Sequence, residues 1–421
     1  MGRKIYVSFC LILFLAQFWL TPLISAQEPE PLGLQEALDF AYQHNPRLAE
    51  ARENIKGAQG ELLTARKFAN PEIEAEIGGL KKDDDGRREG NLDTLAFKQS
   101  FDPPGVRYLE SQIARNEVAI QQEDLKSVWS EVYLEVRTIY ARVVLDKKEL
   151  ELKRSNLKSM RQFFSNVQLR YQSGQSLKNN LQRARIELSK TESDYLKAEN
   201  DLNIDKARLN LVLGRPRDMA FDVKDELAEE KLELDLDGLI ADALANRPDV
   251  KMEETEFDSK NKNVRKEQLN RLPSYSLGFQ RTDEDDDKDY AALVEISIPI
   301  WDLNNGQVKK SKAQREAQRI KLEAMKNEVA FEVYVAYQDA RLALKQLALF
   351  KESLEESHEM FRLAGLRYKE GEIDFINYMD QVKASLDSRM QYYHSLYQLN
   401  QSISALEKSI YSSLRGEEFL Q

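Results

Sequence analysis

The chain has 421 residues, with 61 Lys and Arg against 72 Asp and Glu, for a formal charge of −11. An acidic balance of this kind argues against general binding to nucleic acid or anionic lipid. Eleven prolines and 17 glycines are few for this length and favour long uninterrupted helices, and a single cysteine, Cys10, excludes an internal disulfide.

The first 26 residues read as an export signal that is removed. Arg3 and Lys4 form the basic start, Ile5 to Leu20 the apolar stretch, and Ile24-Ser25-Ala26 a small-residue cleavage site. A retained membrane anchor is the alternative, but about 16 apolar residues is short for a span. Cleavage takes the formal charge from −11 to −13 and removes Cys10. The mature chain then carries no thiol, which is neutral about redox compartment and compatible with an oxidising envelope space. Past this segment no run is long and apolar enough for a transmembrane helix.

From 27 to 216, and again from 236 to 421 beyond a linker at 217–235, the chain writes one design twice. LGLQEALDFAYQHNPRLAEAR (32–52) matches LDGLIADALANRPDVKMEE (236–254): a short helix, then Asn45-Pro46 or Arg247-Pro248, then a new helix. Those prolines lie 202 positions apart, as do Pro71 and Pro273, which end the following helix. Further on, LRYQSG at 169–174 returns as LRYKEG at 366–371, only 197 positions later. Five residues are lost in between, where a loop absorbs a length change.

The long segments carry a second regularity. Val132, Val136, Ile139, Val143, Asp146, Leu150, Lys153, Leu157, Met160, Phe164 and Val167 alternate steps of four and three. Adding 197 lands on Val329, Val333, Ala336, Ala340, Ala343, Leu347, Phe350, Leu354, Ser357, Phe361 and Ala364. Leu177, Leu181, Ala184, Leu188, Thr191, Tyr195, Ala198, Leu202, Asp205, Leu209 and Val212 keep the same stepping. Sustained heptads mean coiled-coil packing. As one helix, 106–167 spans about 93 Å, and 46–68 with 177–213 sum to about 90 Å; in the second copy 303–365 gives about 95 Å against about 96 Å. Two short helices stacked end to end therefore match one long helix. The LRY-x-x-G turns, near 168–177 and 365–374, are the tips of the helical hairpins, where glycine ends a helix at little cost.

Between the first short helix and the long helix of each copy the period changes to two. Over 71–102, PEIEAEIGG sets Glu72, Glu74 and Glu76 against Ile73, Ala75 and Ile77, and LAFKQSF puts Leu95, Phe97 and Phe101 on one face. Over 273–301, Tyr275, Leu277 and Phe279 share a face, as do Val294, Ile296, Ile298 and Ile300. These are strands, and KKDDDGRREGN and RTDEDDDKD read as hairpin loops. Each can extend to about nine to eleven residues, the length of a membrane-spanning barrel strand. A small soluble sheet capping the coiled coil is the alternative. Four strands cannot close a membrane barrel, which starts near eight, and open edges are not tolerated in lipid. A sheet in a bilayer thus requires assembly, and cyclic symmetry is the common solution. Three chains give twelve strands.

In order, duplication and spacing the chain resembles the TolC family of trimeric outer-membrane efflux ducts, from LQEALDFAYQHNP to the last heptads. SFDPPGVR (100–107) and IPIWDLNNG (298–306), where strands enter the long helices, look most like the CzcC-type heavy-metal efflux branch. The resemblance implies a mainly α fold with a small β part. Four transmembrane strands per chain close as a trimeric twelve-stranded barrel, continued by a long antiparallel coiled-coil α-barrel in the periplasm. It further implies a homotrimer in outer-membrane lipid that docks a periplasmic adaptor and an inner-membrane pump of RND type, without nucleic acid, enzymatic activity or cofactor.

Family tips read Y-x-x-G with an Asp six residues after the glycine. Tyr171, Gly174, Tyr368 and Gly371 match, while Asn180 and Asn377 replace the Asp. Asp380 matches a position that forms an acidic ring, and Ile373 stands where the family closes the aperture with an arginine. The resemblance thus implies an aperture lined by Tyr171, Asn180, Tyr368, Asn377 and Asp380, closed by neutral hydrogen bonds from Tyr368 to Asn180. It also implies adaptor contact at Ser173, Gly174, Gln175, Glu370, Gly371 and Glu372. An exit duct for drugs or for type I protein secretion is the nearest alternative, and a pore-free periplasmic scaffold or adhesin the more distant one.

Other signals carry less. Asp83-Asp84-Asp85 and Asp283-Glu284-Asp285-Asp286-Asp287 read as solvated loops, with divalent-cation binding as the alternative. His44, His358 and His394 lack ligand spacing, the methionines form no cluster, and no phosphate loop, nucleophile elbow or zinc-helix motif is present. Glu72, Glu74 and Glu76 suit the lining of an aqueous lumen better than acid–base chemistry.

Overall fold

A computed structural model describes residues 30–82, 88–229, 235–284 and 287–414. The expected export signal, the loop acids Asp83 to Asp85, Asp285 and Asp286, positions 230–234 of the linker, and 415–421 lie outside the described residues. The first copy runs β1 (Glu30–Leu32), α1 (Leu34–His44), α2 (Pro46–Ala65), β2 (Glu72–Lys82), β3 (Arg88–Phe101), α3 (Val106–Gln172) and α4 (Lys178–Leu213). Then β4 (Phe221–Val223) pairs in parallel with β1. The second copy is α5 (Leu236–Asn246), α6 (Pro248–Leu269), β5 (Ser274–Glu284), β6 (Asp287–Ser297), α7 (Asn305–Glu370) and α8 (Phe375–Ile410). At about 1.5 Å per residue, α3 and α7 are each close to 100 Å long.

The short helices do stack end to end, and the join is the same in both copies. Pro46 and Pro248 start α2 and α6 at positions where a missing N–H costs nothing. The residue before each proline reaches the end of the other short helix. Asn45 Nδ2 donates to Val212 O at 2.7 Å, and Arg247 Nη1 donates to Ser409 O at 3.2 Å. The donors are 202 positions apart and the acceptors 197, the same two offsets that the sequence carries. Gly214 follows α4 at φ +75, where an added Cβ would lie 2.7 Å from His44 O. Its counterpart Tyr411 holds the same left-handed conformation, at φ 53, with a side chain, and packs that ring on the first copy's core.

The heptad residues form the core. Val132, Val136 and Val143 of α3 and Val333 and Ala340 of α7 are fully buried. Leu177 departs from the expected stripe at 73% exposed, because it sits in extended backbone one residue ahead of α4; burial along that helix begins at Ala184. Phe361 is exposed as well, at the rim near the second tip. The strands also differ from expectation. They run 11, 14, 11 and 11 residues and take up most of the charged segments read as loops. Backbone pairing continues after the apolar pattern stops, since every extended N–H and C=O still needs a partner. At the other end β6 stops at Ser297, short of Ile298 and Ile300, because Pro299 has no N–H to give a ladder.

Within the seam between the copies, charge is buried. Arg137 of α3 and Glu407 of α8, 3% and 0% exposed, pair at 3.1 Å. The guanidinium also lies over the Tyr133 ring at 4.9 Å, and Glu407 Oε1 accepts from Leu414 N at 3.0 Å. One carboxylate thus fixes α3 of one copy, α8 of the other and the chain beyond α8. Lower down, Asp146 pairs with Arg142 at 3.0 Å, and Arg142 lies 3.5 Å from Asp205 of α4 and faces the Tyr397 ring of α8. Burial, with the neighbouring Asp205 carboxyl adding to it, pushes Asp146 up to about 7. Beside it Glu149 is held below its ordinary value: burial pushes it up, but His394 at 3.0 Å together with Arg142 and Lys153 outweighs burial.

Two outcomes follow. Arg137→Met should destabilise the folded chain by about 3–5 kcal/mol, because Glu407 is left charged and buried. Adding Glu407→Gln should recover part of that loss, since the amide oxygen still accepts from Leu414 N; denaturant titration in detergent reads both. For Asp146 the folded value of about 7 exceeds the ordinary 3.8, so the unfolded chain binds fewer protons between them and stability falls as pH rises through that window. Asp146→Asn should remove this slope and raise stability near pH 8 by on the order of 4 kcal/mol at most, with the gain vanishing towards about pH 4. Thermal melts across pH check the sign.

Candidate functional site

The sheet order is β2-β3-β5-β6, with all three joins antiparallel. Residues paired across a join share a face, so the register assigns each side chain. One face collects Ile73, Phe97, Phe279 and Ala292 in one row, Gln99, Leu277 and Val294 in another, and Phe101, Tyr275 and Ile296 in a third. The opposite face collects Glu72 with Lys98, Glu74 with Ala96 and Gln280, and Ser100 with Ser276 and Glu295. Lys98 pairs with Glu295 there. Nothing among the described residues covers the apolar face: Ile73 is 73% and Val294 68% exposed. Eleven residues at about 3.3 Å each, tilted by about 40°, rise close to 28 Å, the apolar depth of a bilayer. Among the described residues no helix is long and apolar enough to cross a membrane.

The helices repeat the order of the strands. On the sheet side α2 packs on α3, α3 on α6, and α6 on α7. On the tip side α4 packs on α3, α3 on α8, and α8 on α7. From end to end the chain is a strip four elements wide, bounded on one side by β2, α2 and α4 and on the other by β6 and α7. Within the strip, β3 meets β5, α3 meets α6, and α3 meets α8. Because the copies are equivalent, β6 and α7 present the counterparts of the surfaces on β3 and α3 that join the copies internally. The α7 surface is a groove of about 720 Å³ against α8, lined by Phe331, Val335 and Leu342. In the first copy the matching place is filled by Arg142, Asp146 and the Tyr397 ring. Since β2 and β6 run in opposite directions, β6 of one strip can meet β2 of another as an antiparallel pair.

Each tip closes by the same hydrogen bonds. Gly174 N donates to Tyr171 O at 3.0 Å and Gln175 N to Arg170 O at 2.8 Å; Gly371 N donates to Tyr368 O at 3.3 Å and Glu372 N to Arg367 O at 2.9 Å. Gly174 and Gly371 hold φ +77 and +79, which the turn requires. Ser173, Gly174, Gln175, Glu370, Gly371 and Glu372 are exposed around these turns, as are Tyr171, Asn377 and Asp380, while Asn180 is half-buried. Tyr368 stacks on Tyr378 at 4.8 Å and lies 5.7 Å from the Phe163 ring, with Arg170 over it at 5.9 Å. Burial raises both tyrosine hydroxyls above their ordinary range. Asn180 stands on α4 and Tyr368 on α7, the outer helices of the strip. Sequence reasoning missed Phe163 and Tyr378. Phe163 is the residue beside a heptad position, and Tyr378 follows Asn377, so both lay next to residues it had chosen. Among the described residues no group of three or more His, Cys, Asp or Glu is placed to hold a metal.

Comparison with known proteins agrees with this architecture. The chain is 20% identical to the cobalt-zinc-cadmium resistance protein CzcC of Cupriavidus metallidurans over 92% of each chain. It is 23% identical to the solvent efflux pump outer membrane protein SrpC of Pseudomonas putida, over 91% of this chain and 85% of that one. Among solved structures, the open-state MtrE outer membrane channel of Neisseria gonorrhoeae superposes with a TM-score of 0.76 at 19% identity, covering 90% of this chain and 89% of that one. CusC does so with a TM-score of 0.76 at 17% identity, covering 90% and 92%. The mainly α fold with a small β part, expected from sequence, is the fold these channels share. The profile of the outer membrane efflux proteins matches residues 37–215 and 239–410, which is most of both copies, and the chain belongs to that family.

Proposed function

We propose that three copies of the strip close edge to edge into the exit duct of a tripartite efflux system, a passive conduit that carries solutes from the periplasm across the outer membrane and catalyses no reaction. The observation that carries this reading is the four-stranded sheet with an apolar outer face, a polar inner face and two unpaired edges. Three copies supply twelve strands and bring β6 against β2 and α7 against α2 and α4 at each seam. Tips whose backbone bonds are already satisfied internally suit docking to a periplasmic adaptor, which links the duct to an inner-membrane pump of RND type. The hairpins' amphipathic faces argue against a pore-free scaffold or adhesin, which has no use for an uncovered apolar sheet.

Metal cations are the favoured cargo. The lumen face offers Glu72, Glu74, Glu76 and Glu295 with Lys98 among them, and the CzcC relative is named for cobalt, zinc and cadmium resistance. The relatives named for solvent and toluene efflux support a second reading, organic solutes. At the aperture, Tyr368 reaching Asn180 of the next chain would narrow the opening without charge, and Asp380 would add an acidic ring.

Deleting the gene and scoring growth on cobalt, zinc and cadmium salts beside toluene and dyes separates the two cargo readings; unchanged growth on every metal removes the first. In planar bilayers the purified protein should conduct ions with cation preference, and Glu72→Gln with Glu74→Gln and Glu76→Gln should weaken that preference in the reversal potential. Tyr368→Ala should raise single-channel conductance. Protein that stays a lone, non-conducting rod in detergent removes the duct altogether.

A further inference from the structure

The two junctions between sheet and long helix are unequal. Four residues, Asp102 to Gly105, separate β3 from α3, whereas seven, Ile298 to Asn304, separate β6 from α7. The additional length is largely apolar and exposed: Ile298 is 64%, Ile300 70% and Trp301 99% exposed. The segment is nevertheless held in place by its polar residues. Asn304, at φ 55, donates through Nδ2 to both Glu267 O and Glu267 Oε2 at 2.9 Å, and its N–H donates to Asp302 Oδ1 at 2.9 Å. Arg271 donates to Asn305 Oδ1 at 2.8 Å. A built segment that fixes its asparagine against α6 and leaves a tryptophan fully exposed is not explained by packing among the described residues.

Its position supplies the occupant. Val294 and Ile296, on the apolar face of β6, lead directly into Ile298 and Ile300, so the segment lies at the helix-side end of the apolar band. There an indole ring is favoured at the level of lipid headgroups. Directly after it, α7 opens with exposed Lys309, Lys310 and Lys312, and 305–315 contains Arg315 but no acidic residue, in a chain of net charge −11. Among the described residues none of the three lysines makes an ion pair, whereas Arg319 further along pairs with Glu316 and Glu323. Unpaired lysines beside a bilayer attract phosphodiester groups.

We infer that Ile298 to Leu303 and the first turns of α7 form an interfacial anchor, with Trp301 seated at the periplasmic-leaflet headgroup level and Lys309, Lys310 and Lys312 selecting an anionic phospholipid. Overall acidity argues against anionic lipid as a general partner; this surface is a local exception made by the fold. The inference rests on the sheet spanning the membrane, and the experiment separates the two.

The assembled protein is placed in vesicles of phosphatidylcholine and phosphatidylglycerol in which only one of the two lipids carries brominated chains, and tryptophan fluorescence is read. Trp301→Phe identifies the Trp301 contribution above that of buried Trp129. Trp301 should be quenched, and more by brominated phosphatidylglycerol than by an equal amount of brominated phosphatidylcholine, each lysine contributing up to about fivefold at low salt. Lys309→Gln with Lys310→Gln and Lys312→Gln should bring the two lipids to equal quenching, and arginine at the same positions should preserve the difference. A Val294→Trp reporter in the Trp301→Phe background tests the sheet by itself. If that reporter is quenched while Trp301 is not, a neighbouring chain or water covers Trp301 and the anchor is refuted with the sheet intact. Equal quenching of Trp301 by both lipids refutes the anionic selection.

Discussion

Backbone hydrogen bonding at the outer edges of β2 and β6 governs the whole molecule. In water an unpaired strand edge is an aggregation risk that solvation makes tolerable. In hydrocarbon each unmet N–H or C=O costs several kcal/mol, and roughly every second residue of an edge strand turns both groups outward. Among the described residues no element is positioned to cover either edge. The sheet can lie in the membrane only when another chain supplies the partner, so assembly and insertion are a single requirement. The helices satisfy the same demand in softer form, since α7 and α4 leave apolar side chains uncovered where the strands leave polar backbone.

The internal duplication makes that closure possible without a second kind of interface. Within one chain β3 already meets β5, α3 meets α6 and α3 meets α8. The surfaces left over on β6 and α7 are their counterparts, so the contacts that join the copies can recur between chains. The equivalence extends to single hydrogen bonds, as the donors Asn45 and Arg247 on carbonyls 197 positions apart demonstrate. It also lapses in instructive places. Gly214 becomes Tyr411, whose ring crosses to the other copy, and Arg142, Asp146 and Asp205 become Asp339, Ala343 and Ser402. The first copy fills its side of the internal seam with buried charge. The second keeps a wide apolar groove. Buried ion pairs add little net stability but penalise misalignment strongly, because a displaced partner strands a charge. Arg137 with Glu407, which joins α3 of one copy to α8 of the other, is therefore better understood as fixing how the two copies register than as holding them together.

The periodic parts were legible in the sequence because one-dimensional spacing encodes them. Steps of three and four placed Val132, Val136 and Val143 in the core, and alternation put Ile73, Phe97 and Val294 each on the apolar face of its own strand, since helix and strand geometry fix which side chains of one element share a face. The same logic, joined to the limits on strand number in lipid, required an assembly. It failed where local composition and backbone need disagree: charged Lys81, Arg88 and Asp287 sit in strands because pairing continues beyond the apolar band, and Leu177 lies outside the core because a turn interrupts the stepping.

Only the tertiary structure decided the contacts between residues far apart in the chain. Arg137 and Glu407 stand 270 positions apart, and neither lies on the heptad stripe that periodicity reveals. Tyr368 could be assigned to the aperture from its motif, yet its stack with Phe163 and Tyr378 depends on how three helices converge at the tip. Trp301 is one more apolar residue in a strand-like run until β6 ends at Ser297 and leaves it uncovered. Periodicity reports the direction a side chain takes from its own element. What stands opposite is set by how the elements are placed in space.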